Sequence, residues 1–316
     1  MLLQANGHTV TIWGPSEDYL TEVRATGENS RYLPGVKMPA ELRWVSDPGE
    51  AAAGADCVVL ATPSRFYRDV CVLFAGCIPV TADVVSVAKG FCEETRCRLT
   101  QTAAEVLGRQ DVAALSGPSH AEEVSRGVPT AVVIASEDQE LAKRLQVLFT
   151  SPRFRVYTSA DITGVELGGA VKNVLALAIG MSDGLGFGDN SRAALITRGL
   201  AEMARLGAAM GGQPETFAGL SGIGDLVVTC TSRHSRNRSV GERLGRGETL
   251  AAIQASMKQV AEGVWNCRVV LQLAAEKHVE MPICEAVGSV LEGKAAASDA
   301  VLLLMGRDST HEQYGE

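Results

Sequence analysis

Val165-Glu-Leu-Gly-Gly-Ala-Val-Lys-Asn-Val-Leu-Ala-Leu-Ala-Ile-Gly-Met-Ser-Asp-Gly-Leu-Gly-Phe-Gly-Asp-Asn190 is the stretch from which the fold of this chain is read. Helix formers and apolar residues occupy most of its faces, which predicts a helix enclosed within a domain rather than one lying on a surface. One charge, Lys172, interrupts the apolar centre, with Asn173 beside it. Gly168 and Gly169 fall one turn earlier on the same face, where two missing side chains let another group approach the helix backbone. An ammonium group in an apolar wall loses hydration, which lowers its pKa and suits it to exchange protons near neutrality. Snorkelling to solvent, or a pair with Glu166, is the competing account of Lys172.

N-terminal to this helix, short apolar strands alternate with helices. Met1 to Gly7 reads as the last turns of a helix closed by glycine, and Thr9 to Trp13 as a strand. Ser16-Glu17-Asp18 opens a helix to about Ala25. Strands follow at Leu42–Val45, Cys57–Thr62, Asp83–Ala88, Val112–Leu115, Thr130–Ala135 and Arg153–Tyr157, with helices at Arg65–Phe74, Glu93–Leu107 and Asp138–Phe149. Strands apolar on both faces predict a mostly parallel, doubly wound α/β sheet of the Rossmann kind, covered on both sides. After Thr158 the strand pattern stops and helices separated by Gly/Pro turns take over. The expected organisation is a sheet domain over residues 1–158 and an all-α domain over 159–316.

The chain is 46% hydrophobic and 21% charged, enough apolar content for two cores. Its net charge of −8, with basic residues interspersed among acids, argues against a general nucleic-acid binder. No uninterrupted apolar run approaches the ~20 residues of a membrane span, and no secretory pattern opens the sequence, so no membrane insertion is expected. Eight cysteines without a Cys-x-x-Cys pair read as free thiols in a reducing compartment, not as a metal site or disulfide framework. The expectation is a cytoplasmic protein.

In open α/β sheets ligands bind beyond the carboxyl ends of the strands. Thr62-Pro-Ser64, Lys89-Gly90 and Ser116-Gly-Pro-Ser119 all fall at such ends and predict a shared site. Lys89 can offer its ammonium to a phosphate or carbonyl oxygen, and Gly117 and Ser119 can offer backbone N–H groups and a hydroxyl. Further on, Arg233-His-Ser-Arg-Asn-Arg238 can fork a phosphate dianion, and Asp225 can hold Lys172 or a substrate hydroxyl. Each has a plain alternative: a solvated lysine, a turn, a solvated helix start, a helix cap.

Taken together, Ser86-Val-Ala-Lys-Gly90, Ser116-Gly-Pro-Ser-His-Ala121, Gly168-Gly-Ala-Val-Lys-Asn173, Gly222-Ile-Gly-Asp-Leu-Val-Val-Thr-Cys230, Ser235-Arg-Asn-Arg238 and Val260-Ala-Glu-Gly263 resemble the NAD(P)-dependent glycerol-3-phosphate dehydrogenases of bacterial type. The resemblance runs from Asn6 to Arg307. It implies interconversion of sn-glycerol 3-phosphate and dihydroxyacetone phosphate with NAD or NADP, supplying glycerol 3-phosphate for phospholipid synthesis. It further implies Lys172 as the catalytic proton donor and acceptor. Lys89, Gly117, Ser119, Asp225, Ser235, Arg236 and Asn237 are implied as substrate-binding residues, and Tyr32, Lys89, Ala121, Arg236, Val260 and Glu262 as residues near the cofactor. The partner is then a small phosphorylated substrate, no metal is required, and a homodimer is left open.

The sequence departs from the family in two places. Members open with a strand and a Gly-x-Gly-x-x-Gly turn ahead of the first helix, whereas Met1 falls inside that helix. On this reading the first strand is missing and the dinucleotide pyrophosphate loses backbone donors. The chain as given is therefore expected to begin downstream of the true start. Secondly, Gly14-Pro15-Ser16 stands where many relatives carry a basic residue for the 2′-phosphate of NADP, which leaves NAD and NADP both open. Rival expectations are a related β-hydroxyacid dehydrogenase, a cofactor-free phosphate-metabolite-binding protein and an inactive fragment.

Overall fold

The structure is a computed structural model, and it describes residues 1–257 and 261–306. The sheet domain carries strands β1 (Thr11–Trp13), β2 (Arg43–Val45), β3 (Cys57–Leu60), β4 (Asp83–Ser86), β5 (Ala113–Ser116), β6 (Thr130–Ala135) and β7 (Phe154–Ser159). Its helices are α1 (Leu2–Ala5), α2 (Glu17–Thr26), α3 (Pro48–Ala52), α4 (Ser64–Phe74), α5 (Leu99–Leu107), α6 (Ala121–Val124) and α7 (Gln139–Phe149). From Ile162 onward the described residues are helical: α8 (Ile162–Gly184), α9 (Asp189–Ala209), α10 (Pro214–Phe217), α11 (Asp225–Thr231), α12 (Arg236–Gly245), α13 (Leu250–Ser256), α14 (Glu262–Glu276), α15 (Pro282–Leu291) and α16 (Ala297–Met305). The fold is a Rossmann-like parallel-sheet domain followed by a helical domain.

The sheet lies in two pieces. β1 pairs with β2 in parallel, Thr11 opposite Arg43, and β3 to β7 form a second sheet in chain order. Side chains pack β1 against α4, the helix that follows β3, the Trp13 ring standing edge-on to Phe74 at 5.2 Å. Within the larger sheet β5 and β6 run antiparallel, Ala114 opposite Ala135. Their connection holds only the one-turn helix α6, too little for a parallel crossover.

One expected helix is shorter than the sequence pattern suggested. Residues 91–98 form a tight loop closed by a bridge between Phe91 and Arg98, with Arg96 in the left-handed region at φ 58°. The helix then begins only at Leu99. The reason is a distant side chain. Glu166 of α8 accepts the Thr100 N–H at 2.9 Å and pairs with Arg98, so it caps α5 from another element and decides where that helix starts.

α8 is the axis of the helical domain. Asp161 caps it by accepting from Gly164 N at 2.8 Å and also ties down α10 through Thr216 Oγ1 at 2.6 Å. Composition alone would let α8 cross a bilayer, with mean hydropathy 1.4, but 89% of that apolar window is buried within the protein. α12 runs beside it in the same direction at backbone contact. A Cβ on Gly180 would lie 2.1 Å from the Arg238 carbonyl, and one on Gly241 would lie 2.1 Å from the Leu177 carbonyl. Gly184 and Gly245 repeat the contact one turn on, at 2.2 Å from the Glu242 carbonyl and 2.3 Å from that of Met181. Glycine at these four positions is what brings the N-terminus of α12 alongside Asn173.

Candidate active site

The carboxyl ends of β4 and β5, the middle of α8 and the start of α11 meet around one carboxylate. Asp225, the first residue of α11, is 1% exposed and binds two ammonium groups. Lys172 of α8 donates to Oδ1, and Lys89 of the turn after β4 donates to Oδ2 at 2.7 Å. Lys172 also donates to Thr229 Oγ1 at 2.8 Å, and that hydroxyl donates to the Asp225 carbonyl at 2.6 Å, one helical turn back. Lys89 additionally donates to the Gly117 carbonyl at 2.9 Å. The competing pair between Lys172 and Glu166 is not formed, because Glu166 is taken by Arg98 and Thr100.

Burial dominates the electrostatics. Loss of solvent lowers the Lys172 pKa to about 7, the repulsion of Lys89 adds to this, and Asp225 opposes it. Burial acts to raise the Asp225 carboxyl, but the two ammonium groups outweigh it and hold the group below its ordinary value. Cys230, also on α11, is pushed up to about 12 by burial and stays a thiol.

Gly168 and Gly169 serve different neighbours. A Cβ on Gly168 would lie 2.4 Å from the Ser221 carbonyl, so its bareness admits protein backbone rather than a ligand. One on Gly169 would lie 2.9 Å from Ser116 Oγ and 3.3 Å from Lys89 Cγ, so that glycine lets the β4 and β5 ends reach α8.

The start of α12 forms the next wall. Ser235 caps it, accepting from Arg238 N at 3.2 Å, and Arg236 stands exposed at its first position. Asn237 is buried, donating to Asn173 Oδ1 and accepting from Gly263 N, each at 2.9 Å. The basic cluster is not one unit, contrary to the sequence expectation. Arg238 turns to Asp183 of α8 at 2.8 Å, where Arg192 joins it at 2.8 Å, so its charge braces helices instead of facing a phosphate.

α14 supplies the last wall. Glu262, its first residue, is half-buried and accepts from Ser64 N at 3.1 Å and from Ser64 Oγ, binding the end of β3 to the helical domain. Burial raises its carboxyl pKa, offset in part by Ser64 and Arg236. Asn266, one turn on, accepts from Phe91 N at 3.3 Å and so grips the turn that carries Lys89. Ser119 donates to the Gly117 carbonyl at 3.0 Å, and Ala121 is the exposed first residue of α6. Tyr32 is 52% exposed and packs edge-on against Tyr19 at 5.8 Å. Val260 lies outside the described residues.

Sequence reading placed Ser64 and Ser116 at the strand ends of the expected site without giving either a role, and did not single out Thr229, His120 or Asn266. Thr229 had a usable signal, since it stands four residues after Asp225 on one helix face. Asn266 had a similar one, four residues after Glu262.

Residues 1–142 match the family described as NAD-dependent glycerol-3-phosphate dehydrogenase N-terminus, and residues 161–302 match its C-terminus counterpart. The chain belongs to the NAD-dependent glycerol-3-phosphate dehydrogenase family. A glycerol-3-phosphate dehydrogenase (NAD(P)+) of Moorella thermoacetica is 49% identical over 312 residues, covering 99% of this chain and 93% of that protein. One of Geobacter metallireducens is 50% identical over 317 residues, covering 99% and 94%. The crystal structure of the Coxiella burnetii glycerol-3-phosphate dehydrogenase superposes with a TM-score of 0.93 at 39% identity, covering 97% of this chain and 94% of that one.

Residues of this glycerol-3-phosphate dehydrogenase family member fit the nicotinamide end of a dinucleotide. Ser116 Oγ is buried without a hydrogen-bond partner among the described residues, beside Gly169 and Lys89. Ser64, Lys89, Ser116 and Glu262 thus present polar groups along one edge of the strand ends, the place where such folds take dinucleotides.

Proposed function

We propose that this chain interconverts sn-glycerol 3-phosphate and dihydroxyacetone phosphate with NAD or NADP, and that Lys172 moves the proton. The observation that carries the assignment is the buried Lys172 ammonium, held by Asp225 and Thr229 and set beside the N-terminus of α12. When bound, the dinucleotide supplies the hydride to the ketone carbon or accepts it from the alcohol carbon. Negative charge develops on the substrate oxygen during reduction, and an ammonium aimed at that oxygen stabilises it and delivers the proton. Thr229 and Asp225 fix the direction of the Lys172 ammonium, and Asp225 keeps the two lysines from separating. Lys89 adds a second positive charge toward the same oxygen.

The remote phosphate falls to the start of α12. The N-terminal turn of α12, the Ser235 hydroxyl and the Arg236 guanidinium favour an anion, and binding there orients the ketone. This wall supports glycerol-3-phosphate chemistry over a β-hydroxyacid dehydrogenase. Ser64, Lys89, Ser116 and Glu262 would hold the dinucleotide, with Ala121 and Tyr32 further along it. We divide the chain into a dinucleotide-binding part over residues 1–158 and a substrate part over 159–316, and read its product as glycerol 3-phosphate for phospholipid synthesis. Eight unpaired thiols support a reducing compartment such as the cytoplasm. The test is dihydroxyacetone-phosphate-dependent oxidation of NADH and NADPH, absent when Lys172 is replaced by alanine.

A further inference from the structure

His120 is the residue between the end of β5 and α6, and its imidazole Nε2 is buried without a hydrogen-bond partner among the described residues. Buried polar atoms are satisfied in working proteins, so an orphan at the rim of a site points to a group the site receives. Its surroundings say which group. The ring faces His234 at 6.3 Å between centroids, with planes 55° apart. His234 directly precedes Ser235, the cap of α12, so His120 reaches the start of that helix rather than only the lysine pair. Burial lowers its pKa and the Lys172 and Lys89 charges lower it further, against Glu122 and Asp225, which keeps the imidazole neutral at neutral pH. A neutral ring still carries one N–H donor. Lys172 and Lys89 bring positive charge to this corner, offset in part by Asp225 and Glu122.

We infer that His120 is a further substrate-binding residue, its Nε2–H donating to a phosphate oxygen of the three-carbon substrate. The inference rests on the functional reading above. Lys172 serves the ketone oxygen, and the contact with His234 sets His120 at the opposite, phosphate end. No bond is made or broken at the imidazole.

The test uses the full chain with His120→Ala, His120→Gln and His120→Asn. A glutamine amide nitrogen reaches about as far as imidazole Nε2, whereas that of asparagine stops short. The substrates are dihydroxyacetone phosphate and dihydroxyacetone, which lacks the phosphate, with inorganic phosphate as competing ligand. A charge-assisted hydrogen bond of this kind is worth about tenfold in affinity or more. His120→Ala is expected to lower kcat/KM for dihydroxyacetone phosphate by about that factor and to weaken inhibition by inorganic phosphate equally. Turnover of dihydroxyacetone should stay within about twofold. Gln should recover most of the loss and Asn should not, with unchanged thermal unfolding in all three. Unchanged kcat/KM in His120→Ala would overturn the inference, since water would then satisfy Nε2. Equal losses on both substrates would overturn it too, by placing the ring at the ketone end. A wild-type chain that fails to reduce dihydroxyacetone phosphate would sink the functional reading alone. Calorimetric binding of inorganic phosphate to wild type and His120→Ala would then still decide the role of His120.

Discussion

Lys172 and Lys89 share a single carboxylate, Lys172 on Oδ1 of Asp225 and Lys89 on Oδ2 at 2.7 Å. The two lysines come from different domains, one from the long helix α8 and one from the turn after β4, so the carboxylate also joins the halves of the site. Removing its charge leaves the buried Lys172 ammonium facing the half-buried Lys89 ammonium. Asp225→Asn, nearly isosteric, should therefore lower activity about 10²-fold or more and cost about 3–5 kcal/mol of stability. Steady-state kinetics and thermal unfolding of the variant check both figures.

The pH dependence should mirror itself between the two reaction directions. Lys172 must carry its proton to reduce the ketone and must lack it to oxidise the alcohol. With its pKa drawn down to about 7 by burial, reduction should be level in acid and fall as pH rises through that value. Oxidation should rise over the same interval and then level. Lys172→Arg stays protonated throughout, so it should lose that limb in both directions along with most of the rate. Rate–pH profiles of kcat/KM measured both ways decide this.

Much of this arrangement was legible in the sequence, and the illegible part has one physical cause. The β–α alternation, the buried helix around Lys172 and the three polar strand ends are local patterns, and the structure brings Lys89, Lys172 and Asp225 together from them. What stayed hidden depends on partners far away in the chain. Arg238 reads as a phosphate ligand until Asp183 is seen beside it. The start of α5 carries one local cap bond, Arg98 N to Gln101 Oε1, but Glu166 adds a second from the distant α8. Glu262 and Ser64 are 198 positions apart and meet only in the folded chain.

Glu202 offers a stability test away from the chemistry. It is 2% exposed on α9 and accepts the N–H groups of Ile283 at 2.6 Å and Cys284 at 3.2 Å, at the start of α15. Burial raises its pKa from 4.5 to about 7, against those two N–H groups and Arg205. The folded protein thus keeps a proton that the unfolded chain has released across that interval. The site's contribution is full below the unfolded value and is lost as pH rises through about 7. Melting curves of wild type and Glu202→Gln should diverge over that window, the wild type losing a few degrees relative to the variant as pH rises.

The crossing of α8 and α12 should tolerate no added methyl. Gly180→Ala places a Cβ 2.1 Å from the Arg238 carbonyl, which is backbone and cannot rotate away. The helices must part, at about 1–3 kcal/mol or more. The start of α12 moves with them, so KM for dihydroxyacetone phosphate should rise as well as stability fall. Gly241→Ala, pressed against the Leu177 carbonyl, should behave alike, and both effects are read from melting curves and initial rates.

The central claim is that a lysine buried in α8 and held by Asp225 moves the proton for a three-carbon phosphate. Its most direct test is the rate of NADH and NADPH oxidation with dihydroxyacetone phosphate, for the wild-type chain and for Lys172→Ala, each shown to be folded. A wild-type rate that falls about 10²–10⁴-fold in the variant is the expected result. A variant that keeps the wild-type rate would contradict the assignment of Lys172.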